Sequence, residues 1–444
     1  MLQRRPRATC APTPSVVPAG RLLLLGSVIA LLACQKGPAP VAAPPGGGAL
    51  APVGGNQPID AEIAVLQAQL GGGAAGQPEV WNQLARALVR KARQSRDERF
   101  YAQADAAAAR ALALAPDNPG AQQVGLAVLL SQHKFAEAYQ GAAALLRQHP
   151  RESTLWAALG DAALELGDYD AALRAHQTML DLKPDLRSYS RGAWLRYLTG
   201  DAAGAIELMG QAIDAGSPRD PESRAYCRVQ LADLLVRTGK YPDARAALDL
   251  ALRELPGYPP AHAARAALLL HASDAAAEAL SELALALAAE PQISTRILYV
   301  EALEAAGRGA EAQAELPTLL RDGEAQDPRS LALFLATRRQ HLDVALRLAR
   351  AEVARRPDLW SLDALAWAEE RSGQHQAAWQ TMGRALRLGT VDPGLAYHRG
   401  VIAYGRGDRA EARRELARAL ALSPRWHRGD AAAARALLAQ IPPG

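Results

Sequence analysis

The sequence predicts an all-α chain built as a solenoid of stacked helix pairs, and three observations predict it. The 444 residues are 49% hydrophobic but only 5% aromatic, and roughly a fifth are Ala, far above ordinary usage. One pattern recurs along the chain: a helix, a Gly-centred turn, a second helix, then Pro near the exit. A small residue can also be followed at an even step of about 34 residues through Ala104, Ala138, Ala172, Ala205, Ala244, Ala279, Ala312, Ala345, Ala378 and Ala412. With 22% charged residues and its only long apolar run near the N-terminus, the chain reads as neither a disordered polymer nor a multi-spanning membrane protein.

Residues 1–33 come first. Arg4, Arg5, Arg7 and Arg21 precede the apolar run Leu22 to Leu32, which is too short for a permanent span and has the layout of an export signal. It ends in Leu31-Leu32-Ala33-Cys34, which resembles a bacterial lipobox. That resemblance implies a diacylglyceryl thioether on Cys34 and cleavage just before it; an uncleaved anchor or a start set too early are the alternatives. Arg4-Arg5 lacks the rest of a twin-arginine motif, which points to ordinary secretion. Residues 34–58 are Gly, Pro, Ala and Gln with hardly a charge, a composition that cannot bury a core. This tether has a mean reach of roughly 25–30 Å. By similarity to Gram-negative lipoproteins, Gln35 after the Cys implies the outer membrane, with the folded part in the periplasm. Cys10 leaves with the signal and Cys34 is acylated, so Cys227 is the remaining thiol and no intrachain disulfide is expected.

Residues 59–78 read as a short helix (Asp60 to Leu70) and a second flexible joint (Gly71 to Gly76). The repeats follow over residues 79–424. In the stretch from Ser153, Trp156, Leu159, Gly160, Gly167, Ala172, Met179 and Pro184 stand at the offsets that define the tetratricopeptide repeat, which the chain resembles. Further positions of the same pattern are Gly200 and Ala205, Gly239 and Ala244, Gly373 and Ala378, and Gly400, Gly407, Ala412 and Pro424. The resemblance implies a right-handed superhelix of about ten helix-turn-helix units, in which Gly167, Gly200, Gly239, Gly307, Gly373 and Gly407 turn the chain between helices. The small Ala is needed where the two helices of a unit cross closely. Three departures carry expectations of their own. The first unit has a longer joint around Ser95 to Arg99, Gly216 to Glu222 form an insert, and Pro317 should kink its helix or delay its start. Units six to eight match least well, and a hinge is expected there. Residues 425–444 should supply a helix that covers the apolar end of the stack.

No P-loop, His-Glu-x-x-His, paired Cys-x-x-Cys or dinucleotide Gly fingerprint occurs, so no catalytic residue, cofactor or metal site is expected. The nine His are scattered and none stands at metal-ligand spacing from another, which makes them surface or capping residues. The resemblance implies that the first helix of each unit lines a concave groove. The groove positions are Trp194, Tyr197, Tyr226, Asp233, Arg237, Phe334, Arg338, Trp360, Trp367, Arg371, Tyr397 and Tyr404. Aromatics with Arg on a concave face suit a peptide-binding groove, and the alternative is that some of these rings fill the core between helices. Trp156, Tyr169, Tyr189 and Tyr241 fall at packing or turn positions. The groove lacks the Lys and Asn pattern by which chaperone-binding members clamp a C-terminal carboxylate.

The expected function is therefore a lipid-anchored scaffold of the cell envelope that binds other proteins. A glycan-binding or enzyme-accessory role, with Asp233 and Glu370 as the candidate carboxylates, and a self-assembling structural role are the alternatives. The formal charge of +4 and pI near 9.0 would suit nucleic acid. Cleavage of the signal takes four of the 50 basic residues and no acid, leaving 46 against 46, so no nucleic-acid partner is expected.

Overall fold

A computed structural model describes residues 50–55, 58–95, 97 and 99–442. Cys10, Cys34, the export signal and most of the tether fall outside the described residues, as does part of the joint after Ser95. What is described is helical, with 22 α-helices and no strand among these residues. After α1 (Pro58–Gly71) come α2 (Pro78–Ser95) paired with α3 (Arg99–Leu114), α4 (Pro119–Ser131) with α5 (Phe135–Leu146), and α6 (Ser153–Glu165) with α7 (Tyr169–Leu182). Next are α8 (Leu186–Leu198) with α9 (Ala202–Asp214), α10 (Pro221–Arg237) with α11 (Tyr241–Glu254), and α12 (Pro259–Ala272) with α13 (Ala276–Ala289). The last pairs are α14 (Ile293–Ala305) with α15 (Gly309–Gln326), α16 (Pro328–Arg338) with α17 (Leu342–Arg355), α18 (Leu359–Arg371) with α19 (His375–Ala385), and α20 (Pro393–Gly405) with α21 (Arg409–Leu422). The cap α22 (Arg428–Ala439) ends the stack.

The ten pairs have the local causes the sequence suggests. Every traced Ala, from Ala104 to Ala412, is buried where its helix crosses the partner. Gly160 and Gly400 are small for the same reason: a Cβ there would meet the His176 ring at 2.3 Å and Leu416 at 2.9 Å. The six turn glycines all have positive φ. Carboxylates cap many of the helices that follow; Asp168, Asp201 and Asp408 each accept the backbone N–H of the residue three further on. Pro184 and Pro424 stand just past the ends of α7 and α21.

Several expectations change. The segment before the repeats is docked rather than free: Ile59, Ile63, Leu66 and Leu70 of α1 share a core with α2, and Lys91 holds the buried Asp60 at 2.8 Å. The Trp81 indole donates to the Ala75 carbonyl at 2.9 Å, which fixes the joint. Pro317 lies within α15, which starts on schedule at Gly309, so the helix is not delayed. Part of the insert at 216–222 is absorbed by lengthening α10, for which Pro221 opens the first turn and Asp220 caps. One core runs from Ala266 to Ile441 across pairs six to ten and α22, the region where the weakest repeats lie.

The superhelix is wound tightly enough for its turns to touch. The Gly167 carbonyl accepts from Arg387, the Leu198 carbonyl from Thr390, the Val236 carbonyl from Ser423 at 2.7 Å and the Ala272 carbonyl from Arg425 at 2.8 Å. Thus the ends of α6, α8, α10 and α12 meet the loops that precede α20 and α22. Partners in these contacts are 153 to 220 residues apart, so one superhelical turn takes roughly five to six units of 34 residues. Two of the turn glycines serve this approach. A Cβ on Gly167 would lie 2.8 Å from the Pro357 carbonyl oxygen, and one on Gly200 would lie 2.9 Å from that of Gly389.

Candidate partner-binding surfaces

The residues expected to line the groove gather into two clusters, and tight winding decides what each can do. In the first, the Trp194 ring stacks on Tyr197 with centroids 5.6 Å apart and meets Trp360 of the next superhelical turn at 6.2 Å. The Arg237 guanidinium lies over Trp360 at 5.1 Å and over Tyr197 at 5.7 Å. It donates to Asp233 at 2.8 Å and also pairs with Asp392. Asp392 is the focus: it is buried, caps α20 through the Leu395 N–H at 2.8 Å, and accepts the Tyr197 hydroxyl at 2.6 Å. Burial pushes its carboxyl up, but Arg237 and these hydrogen bonds outweigh that and hold it below the usual carboxylate range. The Tyr197 hydroxyl is pushed up by burial, with the Asp392 charge adding to it.

The second cluster belongs to α16, α18 and α20. Trp367 is 0% exposed, donates its indole N–H to Thr337 Oγ1 at 2.9 Å, stacks on His398 at 3.9 Å and meets Tyr397 at 5.5 Å. Arg371 lies 3.9 Å over the Trp367 ring, and burial pulls its guanidinium below the ordinary value. Burial, with Asp430 nearby, pushes the Tyr397 hydroxyl up to about 12. Phe334 is buried under Arg338, 4.5 Å over its ring, and Arg338 is held by both oxygens of Glu304 at 2.6 Å. Tyr404 is half-buried with Arg409 stacked on it at 3.6 Å. His398 bonds Asp363 at 2.7 Å; burial favours the neutral ring, but Asp363 outweighs it and raises the imidazole above its ordinary value. In α18, eleven residues are buried, so the helix is covered nearly all round.

Of the twelve expected groove residues, then, Tyr197, Phe334, Trp367 and Tyr397 are core. They are not available to a partner, because the next turn and the neighbouring first helices fill the space the groove would occupy. Trp194, Asp233, Arg237, Arg338, Trp360, Arg371 and Tyr404 are partly covered, and each is engaged with a neighbouring side chain. Tyr226, 49% exposed, is the one that presents its ring to solvent. The two carboxylates named for a glycan site are occupied by cationic or ionisable partners, Asp233 by Arg237 and Glu370 by His375 at 2.8 Å. Cys227 is buried, which pushes its thiol up to about 12.

An open apolar surface lies elsewhere, in the second pair. There α5 packs more closely on α6 than on its own partner α4. The gap is a cleft of about 390 Å³ walled by Ala108 and Leu112 of α3, Gly125 and Leu129 of α4, and Gly141 and Leu145 of α5. Small residues make it: a Cβ on Gly125 would meet nothing within 4 Å. The sequence shows these Gly and Ala, but a Gly inside a helical pattern ordinarily signals only lower helix propensity.

Residues 197–268, from the end of α8 into α12, match a family model described as tetratricopeptide repeat. That part of the chain carries tetratricopeptide repeats. The ten helix pairs extend the same helix-turn-helix plan from Pro78 to Leu422. No curated protein matches the chain. Among solved structures it is similar to PilW, a type IV pilus biogenesis factor, at 17% identity and TM-score 0.38, covering 44% of this chain and 91% of that one. A tetratricopeptide repeat protein from Parabacteroides merdae gives 15% and 0.34, with 58% and 98% covered. The human IFIT1 dimer with m7Gppp-AAAA gives 16% and 0.48, with 70% and 72% covered. No helix among the described residues is long and apolar enough to cross a membrane.

Proposed function

We propose that this protein is a lipid-anchored scaffold of the bacterial cell envelope, tethered through Cys34 and holding an apolar segment of a partner protein in the cleft between α3, α4 and α5. The observation that carries the reading is that cleft, an apolar concavity between helices of an array whose first-helix face is filled by its own side chains from the fourth pair onward. A segment with small apolar side chains fits walls of Ala, Gly and Leu, and burial of its apolar atoms supplies the affinity at about 25 cal/mol per Å². The lipobox, the tether and the equal counts of acidic and basic residues that cleavage after residue 33 would leave support placement at a membrane surface without a nucleic-acid partner.

The test uses a photo-crosslinking residue at Gly125 in the full chain expressed in cells. A partner crosslinked there and lost on Ala109→Arg, a substitution in α3 at another lining position, supports the reading, whereas crosslinking unaffected by a blocked cleft sinks it. For the anchor, the N-terminal peptide should carry diacylglycerol on Cys34 by mass spectrometry. An unmodified chain beginning at Met1 would contradict it.

A further inference from the structure

Three distant segments converge where α22 closes onto the sixth and seventh pairs. His271 is in the last turn of α12, Glu301 lies in α14, and His427 precedes α22. One ligand atom from each lies within 4.8 Å of the others. Glu301 Oε2 is 3.3 Å from His427 Nε2 and 3.9 Å from His271 Nε2, and the two imidazole centroids are 4.6 Å apart. All three side chains are partly buried.

We propose that His271, Glu301 and His427 form a zinc-class divalent metal site that fastens the capping helix to the preceding superhelical turn. Two imidazoles and one carboxylate are a ligand set that Zn²⁺ uses, with a fourth position left to water. Imidazole ligands select Zn, Cu or Ni over Mg or Ca. At Zn–N and Zn–O lengths of about 2 Å the ligand atoms of a tetrahedral ion stand a little over 3 Å apart, so His271 must close in while Glu301 and His427 already have that spacing.

The surroundings fit the same chemistry. Asp430 Oδ2 lies 3.1 Å from His427 Nδ1, and the Asp430 backbone N–H donates to the same atom at 3.2 Å; when the ring binds an ion through Nε2 its proton moves to Nδ1, the carboxylate accepts it and the backbone contact is given up. The neighbouring cation, Arg428, turns its Nε to Asp274 at 3.0 Å. Its backbone N–H reaches His271 Nδ1 at 3.3 Å, a long contact given up when that ring binds through Nε2. The site would do mechanical work, since one bond set replaces several weaker contacts between α12, α14 and α22.

The experiment uses the untagged full chain, stripped with a chelator and titrated with Co²⁺, then with Zn²⁺ in competition. Expected are one equivalent of Co²⁺ with visible ligand-field absorption, displacement by Zn²⁺, and a rise in Tm on adding Zn²⁺. His427→Asn keeps a side chain able to cap α22 while removing the imidazole, and His271→Gln leaves the cap alone. Each should weaken Co²⁺ binding by more than tenfold and abolish the Tm rise while retaining the helical circular dichroism of the parent. Asp430→Asn should weaken binding by about 10–100-fold. Absence of one-equivalent binding, or binding of equal strength in both His variants, would overturn the site.

Discussion

Pairs one and two are built on the same small-residue period as pairs three to ten, yet the two regions end with opposite surfaces. In pairs three to ten, contacts across a superhelical turn fill the inner face: Trp194 meets Trp360, and Tyr197 and Arg237 both reach Asp392. In the second pair the approach is slighter: His133, in its turn, lies near the Arg355 and Arg356 charges of the next superhelical turn, and an apolar cleft stays open between α3, α4 and α5. The difference teaches that a repeat specifies how neighbours stack, while the small rotation per repeat decides whether the concave face is a groove or a core. It also bears on cooperativity. A solenoid whose units touch only their neighbours melts piecemeal, whereas contacts between units five apart should join pairs three to ten into one unfolding unit.

The largest effect is expected at Asp392. Asp392→Ala leaves the Arg237 charge and the Tyr197 hydroxyl without their shared partner, at about 3–5 kcal/mol, with the α20 cap lost besides. Urea unfolding should show the single transition of pairs three to ten split in two. Trp367→Ala should cost about 3–5 kcal/mol by cavity formation, while Tyr226→Ala, at an exposed position of the same expected groove, should stay within about 0.5 kcal/mol. Equal costs would mean that Trp367 is not core.

A smaller effect concerns His398. Its folded value lies above the unfolded one because Asp363 stabilises the cation. The stability from this pair is therefore fully present below about pH 6.5, the unfolded value, and is lost as pH rises through the higher folded value. Thermal melts of His398→Gln should lack that decline. A small change of opposite sign is expected in the open region, where Gly125→Leu should stabilise α4 by about 0.5–1 kcal/mol because a Cβ there meets nothing within 4 Å. A destabilised Gly125→Leu would show that the cleft is already closed.

The pairs, the turn glycines and the crossing Ala residues were legible in the sequence because each is set by neighbours within one 34-residue unit. Ala172 needs only the helix beside it, and Gly373 only the turn it makes. What the sequence did not show was the winding, since Tyr197 finds Asp392 at a separation of 195 residues. For the same reason Tyr197, Phe334, Trp367 and Tyr397 read as groove although they are core, and His271 and His427 read as unrelated. The cleft was hidden differently: Gly125 and Gly141 look like ordinary weak points in helices, and only the meeting of α3, α4 and α5 turns them into a surface.

Closure of the superhelix on itself is the claim on which the rest depends, and a distance measurement tests it most directly. Spin labels at the exposed Arg196 and Arg384, near the turn after α8 and the loop before α20, report whether adjacent superhelical turns touch in solution. A closed superhelix gives one short, narrow distance distribution that broadens and lengthens in Asp392→Ala. A long or broad distribution in the parent chain, unchanged by that substitution, would show an open superhelix and restore the groove.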